Sequence, residues 1–201
     1  MHFIGITGGV GAGKSEIIRY LERRPDTRVM LADEIAHALM EPKTACYEAL
    51  REAFLGEDIF LPEGGFDRGR LAAVIFSDDE KRARLNTIVH PAVKEYVRAQ
   101  AAQERERGEL SWLFLEAALL IEEHYDEICD ELWYIDTCED VRRVRLKQSR
   151  GYTDEKIDRI LASQLGEEAY RRACRVTIDN SGAIESAIEQ IEGVLRRKTD
   201  G

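Results

Sequence analysis

Five short, nearly unbroken apolar runs punctuate the chain: His2 to Thr7, Arg28 to Ala32, Ser111 to Glu116, Glu131 to Thr137 and Arg175 to Asp179. Runs of this length without polar alternation fit strands buried on both faces. The stretches between them repeat apolar residues at helical spacing, as in Ile17, Tyr20 and Leu21 after the first run and Ile184, Ile188, Ile191 and Leu195 after the last. Strands alternating with helices predict a parallel sheet covered on both faces, whose ligands gather beyond the carboxyl ends of the strands. Residues just after each run therefore matter most.

Two intervals are longer than a simple crossover needs. The stretch from Asp33 to Gly108 carries several helix patterns, including Ser77-Asp78-Asp79-Glu80, which reads as a capping box. His90-Pro91 fits a helix restarting with proline in its first turn. The spacing predicts one domain with a core of about 1–33, 109–140 and 173–201, a helical insertion over about 34–108, and a lid over about 141–172. From Val141 to Arg175 ten Lys and Arg face five Asp and Glu, a local charge of +5. The 201-residue chain has 29 Lys and Arg against 39 Asp and Glu, a net −10, so the remainder carries −15.

That acid surplus argues against a general nucleic-acid surface, which gains affinity by neutralising phosphates. The most apolar stretch, Trp112 to Ile121, is interrupted by Glu116 and is half the ~20 residues a bilayer requires. Cys46, Cys129, Cys138 and Cys174 form no C-x-x-C pair and read as free thiols. With no basic n-region or cleavage motif at the N-terminus, a cytoplasmic protein is expected.

Chemistry enters at Gly8-Gly9-Val10-Gly11-Ala12-Gly13-Lys14-Ser15, which fits G-x-x-x-x-G-K-[ST] between a strand pattern and a helix pattern. It is a P-loop: glycines let the backbone curl so that several N–H groups meet one phosphate chain, and the helix adds its positive end. Lys14 is expected on the β- and γ-phosphates of a nucleotide and Ser15 on Mg²⁺. No N-K-x-D reads a guanine, which argues against a GTPase switch. Glu116 and Asp136 each end an apolar run. Glu116 either holds the metal shell through water or is a strand-end acid, and Asp136 reads as structural. Asp33, just past the second run, either takes the proton of an acceptor hydroxyl or caps the next helix. His37 reads as an ordinary helix residue. In the basic segment, Arg145 and Arg150 could close over phosphates, with Gly151 as a hinge; the alternative is a surface helix pair whose arginines meet neighbouring acids.

Taken together, these motifs resemble the dephospho-CoA kinase family. The resemblance runs nearly end to end and rests on Ile6 to Ser15, Ala32-Asp33 with Ile35-Ala36, Leu85-Asn86 with His90-Pro91, Ala118 to Glu122, Arg145 to Gly151 with Gln164, and Ile178-Asp179-Asn180. It implies a P-loop NTPase fold, a three-layer α/β/α with a five-stranded parallel sheet, a helical acceptor-binding insertion and a lid. It also implies transfer of the γ-phosphate of ATP to the ribose 3′-hydroxyl of dephospho-CoA, the last step of coenzyme A synthesis, with Mg²⁺ at Ser15. Gly9, Val10, Gly11, Ala12, Gly13, Lys14, Ser15 and Glu16 would bind ATP. Lys14, Asp33, Arg145 and Arg150 would be catalytic, and Asp33, His90 and Leu120 would meet the acceptor. The chain departs from the family pattern at Leu31, where an Asp is usual, at Ala118, where a Pro is usual, and at Arg175, where an acid is common. A kinase of another nucleotide or nucleoside, or an accessory module without transfer activity, stays open on the residues. Neither a nucleic-acid nor a membrane partner is expected, and the oligomeric state is not indicated.

Overall fold

The computed structural model describes residues 1–199. Its five strands, β1 (His2–Thr7), β2 (Thr27–Leu31), β3 (Trp112–Glu116), β4 (Glu131–Asp136) and β5 (Val176–Asp179), form one parallel sheet in the order β2-β3-β1-β4-β5, with helices on both sides. Each lies within one residue of its apolar run. Double coverage explains why: Phe3, Ile4, Ile6, Leu113, Phe114, Leu115, Trp133 and Ile135 are fully buried, so both faces of the central strands need apolar side chains. Strand β1 pairs with β3 from His2↔Trp112 to Ile6↔Glu116, and with β4 from Ile4↔Glu131 to Thr7↔Tyr134. The chain thus leaves β1 for one side of the sheet and later returns to the other, which opens a crevice at the carboxyl end of β1.

Nine helices are described: α1 (Lys14–Leu21), α2 (Ala32–Leu39), α3 (Ala45–Ala53), α4 (Arg68–Ser77), α5 (Asp79–Arg107), α6 (Glu139–Arg150), α7 (Asp154–Ala162), α8 (Glu167–Ala173) and α9 (Ile184–Thr199). The described chain divides into two compact units. One holds residues 1–30 and the chain from Glu104 onward, and the other is Leu31–Gln103. The second has its own core of Tyr47, Leu50, Phe54, Ile59, Leu71 and Val93, with the Tyr47 hydroxyl accepting from Gly65 N–H at 3.1 Å.

Two local readings are corrected. Ser77 does not cap α5; its hydroxyl donates back to the Val74 carbonyl and it stays in the last turn of α4. The extended residue is Asp78, whose carboxylate accepts from the N–H groups of Glu80 and Lys81 at 2.9 and 3.1 Å. Pro91 does not restart a helix either, since Asp79–Arg107 is continuous through it. The helix is held along its length by buried Leu85, Val89, Val93, Val97 and Ala101, which outweigh the one backbone donor that proline lacks.

In the first unit, Glu131 at the start of β4 is buried and accepts from Trp133 Nε1 at 2.6 Å and Lys198 Nζ at 2.9 Å. Arg175 lies 3.8 Å from the same carboxylate. The basic residue before β5 is thus matched by an acid on the neighbouring strand.

Candidate active site

Between β1 and α1 the chain makes a tight loop, with Ala12 N–H donating to the Gly9 carbonyl at 3.1 Å. Gly13 precedes α1 at φ 81° and ψ 19°, in the left-handed region. A Cβ there would also sit 2.5 Å from Asn180 Nδ2, so glycine alone fits. No side chain caps α1, which leaves its amino end open to an anion. Lys14 Nζ donates to the Gly8 carbonyl at 2.7 Å and lies 3.6 Å from Glu116 Oε1. Its side chain is only 15% exposed, so the ammonium is held over the loop rather than extended into solvent. Ser15 and Glu16 are exposed in the first turn of α1. Glu116, at the end of β3, faces Lys14, a role its strand-end position did not reveal. Asp136 accepts from the Tyr134 hydroxyl and is paired with Arg171, in keeping with a structural acid.

The basic segment divides by partner. Arg143 meets Glu139 and Asp158, Lys147 meets Asp154 at 2.7 Å, and Arg171 meets Glu167 and Asp136, so these cations tie α6 to α7 and α8 to β4. The loop receives Arg142 and Arg145 instead. Arg142 Nε donates to the Val10 carbonyl at 3.0 Å, and its guanidinium also donates to Gln164 Oε1, which accepts from Val10 N–H at 3.3 Å. Arg145 Nη1 reaches the Ala12 carbonyl at 3.5 Å. Arg150 is exposed at the end of α6 and lies 5.9 Å from the Tyr152 ring. Arg142 therefore joins Arg145 at the loop. Three residues apart on a helix share a face, whereas five apart do not. Helical spacing was the available signal for Arg142. Thr137, buried beneath the loop, had none beyond its strand-end position, whereas Asn180, also buried there, was marked by the Ile178-Asp179-Asn180 segment of the family resemblance.

In the second unit, Asp33 is exposed in the first turn of α2. The cap position belongs to Leu31, which forms no side-chain bond, so Asp33 does not serve as the helix cap. His37 follows one turn later and lines an apolar cavity of about 260 Å³ with Met40, Phe66, Leu71, Ile75 and Leu85. His90 is half-buried within α5. Leu120 is fully buried over Gly5 beside Cys129 and Leu132.

Burial pushes the Cys129 and Cys174 thiols up to about 12 and also raises Cys46; Cys138 alone of the four is exposed. Past the ends of β4 and β5 lies a cleft of about 680 Å³, lined by Asp136, Glu139, Glu167 and Asp179 together with Arg142 and Arg171. A hollow of about 400 Å³ lined by Val141, Val144, Arg145, Ser181 and Gly182 has a single acid, Asp140. No helix among the described residues is long and apolar enough to cross a membrane.

A parallel sheet with a phosphate-cradling loop at the end of its central strand, a lysine over that loop and arginines reaching it from a basic helical segment defines a P-loop kinase. The dephospho-CoA kinase family model matches residues 2–186, and the chain belongs to that family. It is 36% identical over 200 residues to the dephospho-CoA kinase of Geobacter sulfurreducens, covering 98% of this chain and 99% of that one. Among solved structures it is similar to TT1252 from Thermus thermophilus, with a TM-score of 0.76 and 28% identity over 98% of this chain and 97% of that one. The dephospho-CoA kinase from Campylobacter jejuni shares the fold at a TM-score of 0.69 and 20% identity, covering 98% of each chain.

Proposed function

We propose that this chain carries out its family's reaction, transfer of the γ-phosphate of ATP to the ribose 3′-hydroxyl of dephospho-CoA, with the residues described above in specific roles. The observation that carries this reading is Lys14 held over the P-loop between the Gly8 carbonyl and Glu116. An ammonium there meets the β- and γ-phosphates, while the backbone of Gly9 to Glu16 wraps the chain behind them. Phosphoryl transfer asks mainly for positioning and charge stabilisation. Arg145, already at the loop, supplies the second cation. Arg150, beside Tyr152, belongs to the rim of the lid and has the lesser share. The hollow beside Arg145 suits the purine of ATP, since Val141 and Val144 offer apolar surface next to the loop. Ser15 fits a hard divalent ion as an exposed oxygen donor, and would hold Mg²⁺ with the phosphate oxygens, where the ion offsets charge on the transferring group.

On the acceptor side, Asp33 is assigned as the base that orients the 3′-hydroxyl and takes its proton. Its support is its position two residues past the carboxyl end of β2, together with its freedom from a capping role. His90 is assigned to acceptor binding, and the apolar cavity at His37 suits an uncharged part of the same molecule. A coupled ADP-release assay with dephospho-CoA, adenosine, AMP and shikimate tests the reading. Turnover confined to dephospho-CoA is expected. Background rates with dephospho-CoA and turnover with another acceptor would replace it.

A further inference from the structure

We infer that Thr137 and Asn180 are positioning residues for the donor phosphates, acting through the carbonyl of Ala12. Three donors from three elements converge on that one oxygen: Asn180 Nδ2 at 2.8 Å, Thr137 Oγ1 at 3.1 Å and Arg145 Nη1 at 3.5 Å. Asn180 follows β5, Thr137 follows β4, and Arg145 belongs to α6. Thr137 is 4% and Asn180 1% exposed, so both bonds are shielded from water. The Thr137 hydroxyl also lies 2.8 Å from the Asp136 carbonyl, and its single proton serves one acceptor at a time. Asn180 therefore provides the steadier anchor. Its backbone N–H is fixed on the Asp136 carbonyl at 2.7 Å.

The carboxamide shows which demand dominates. Only its NH₂ can face a carbonyl, and with that group on Ala12 its Oδ1 is left buried without a partner. A buried acceptor without a donor is destabilising, and the arrangement persists because the NH₂ is committed to the loop.

The consequence lies on the other side of the peptide plane. No peptide bond among the described residues is cis, so the Ala12 carbonyl and the Gly13 N–H point in opposite directions. Pinning the carbonyl toward the exits of β4 and β5 turns the Gly13 N–H away from them. Gly13, at φ 81° and without a Cβ, offers little resistance to rotation of this peptide. Without the anchor the plane could turn over and present an oxygen where a polyphosphate needs a donor. The glycine that lets the loop curl thus requires an external clamp to fix its hydrogen-bond polarity, and Thr137 and Asn180 form it.

This inference rests on the P-loop holding ATP, and not on the identity of the acceptor. The test is equilibrium binding of ATP by calorimetry without acceptor, alongside steady-state kinetics and thermal unfolding, in Asn180→Asp, Thr137→Val and Thr137→Ser. Asn180→Asp keeps the shape and replaces the donor with an acceptor. It should weaken ATP binding at least about tenfold, with KM for dephospho-CoA within about twofold of the parent. Thr137→Val should weaken ATP binding about threefold, and Thr137→Ser should restore it. Unchanged ATP affinity in folded Asn180→Asp, or equal losses for donor and acceptor, would overturn the inference. If Asn180→Asp does not fold, the Thr137 pair decides: loss in the valine variant with recovery in the serine variant supports the clamp, and no loss in the valine variant refutes it. Lys14→Ala separates the two readings, because undiminished ATP binding in that variant would refute the P-loop assignment itself.

Discussion

Lys14 and Asp33 divide the proposed chemistry, one on the donor and one on the acceptor, and their substitutions should read differently. Lys14→Ala removes the ammonium over the loop, and turnover should fall by about 10²–10³-fold or more with the thermal midpoint nearly unchanged. Asp33→Asn keeps the shape of an exposed side chain that caps nothing. It should lower kcat by about a hundredfold while ATP affinity moves little, as expected of a base that touches only the acceptor. The thiols allow a separate check. Burial raises Cys129 and Cys174 to about 12, so at pH 8 they are almost wholly protonated and unreactive, and raising the pH to 9 barely changes this. Alkylation of the native protein should therefore label Cys138 first, with peptide mass mapping showing the other three modified only after unfolding. At this scale the sequence was legible where chemistry is local. Gly8 to Ser15 are contiguous, so their spacing alone displayed the loop. Arg142, Gln164, Thr137 and Asn180 reach the same loop from far along the chain, and nothing in the spacing of the P-loop itself names them.

Among elements, the five strands were readable because burial on both faces forces continuous apolar runs. Helix ends were less so, since Ser77, Asp78 and Asp79 are all good caps and the choice fell to backbone geometry: Ser77 stays helical and Asp78 is extended. Continuity through Pro91 was hidden for a similar reason, because the long buried stripe of α5 becomes decisive only once packed. The departure at Leu31 gains a physical meaning here. Leu31 occupies the cap position of α2 with extended backbone at φ −109° and ψ 113°, and contributes no side-chain bond. An acid at this position could cap the helix that carries Asp33. Leu31→Asp should stabilise the protein by about 1 kcal/mol, seen as a rise in the thermal midpoint of about 2–4 °C. A fall would mean that the apolar contacts of Leu31 outweigh the cap. Arg175 follows the same logic, since its nearby Glu131 supplies the missing opposite charge.

Over the whole molecule, the net charge of −10 conceals a segment of +5 set against −15. The structure divides that segment further. Arg143 and Lys147 are taken up by acids that join α6 to α7 and Arg171 by one that joins α8 to β4, whereas Arg142 and Arg145 meet the P-loop. The reading as ion-paired surface helices thus describes Arg143, Lys147 and Arg171, while the phosphate-closing lid stays a proposal supported by Arg145 at the loop. The arginines that meet the donor loop come from this segment while acidic residues predominate over the rest of the chain, an arrangement suited to one small polyphosphate. The central claim, phosphoryl transfer to the 3′-hydroxyl, is tested most directly by incubating the protein with MgATP and dephospho-CoA and identifying the product by phosphorus NMR and mass spectrometry. The account predicts one ADP formed per molecule of coenzyme A, with the new phosphate on the ribose 3′-oxygen. ADP released without a phosphorylated acceptor, or a phosphate found on any other atom, would contradict it.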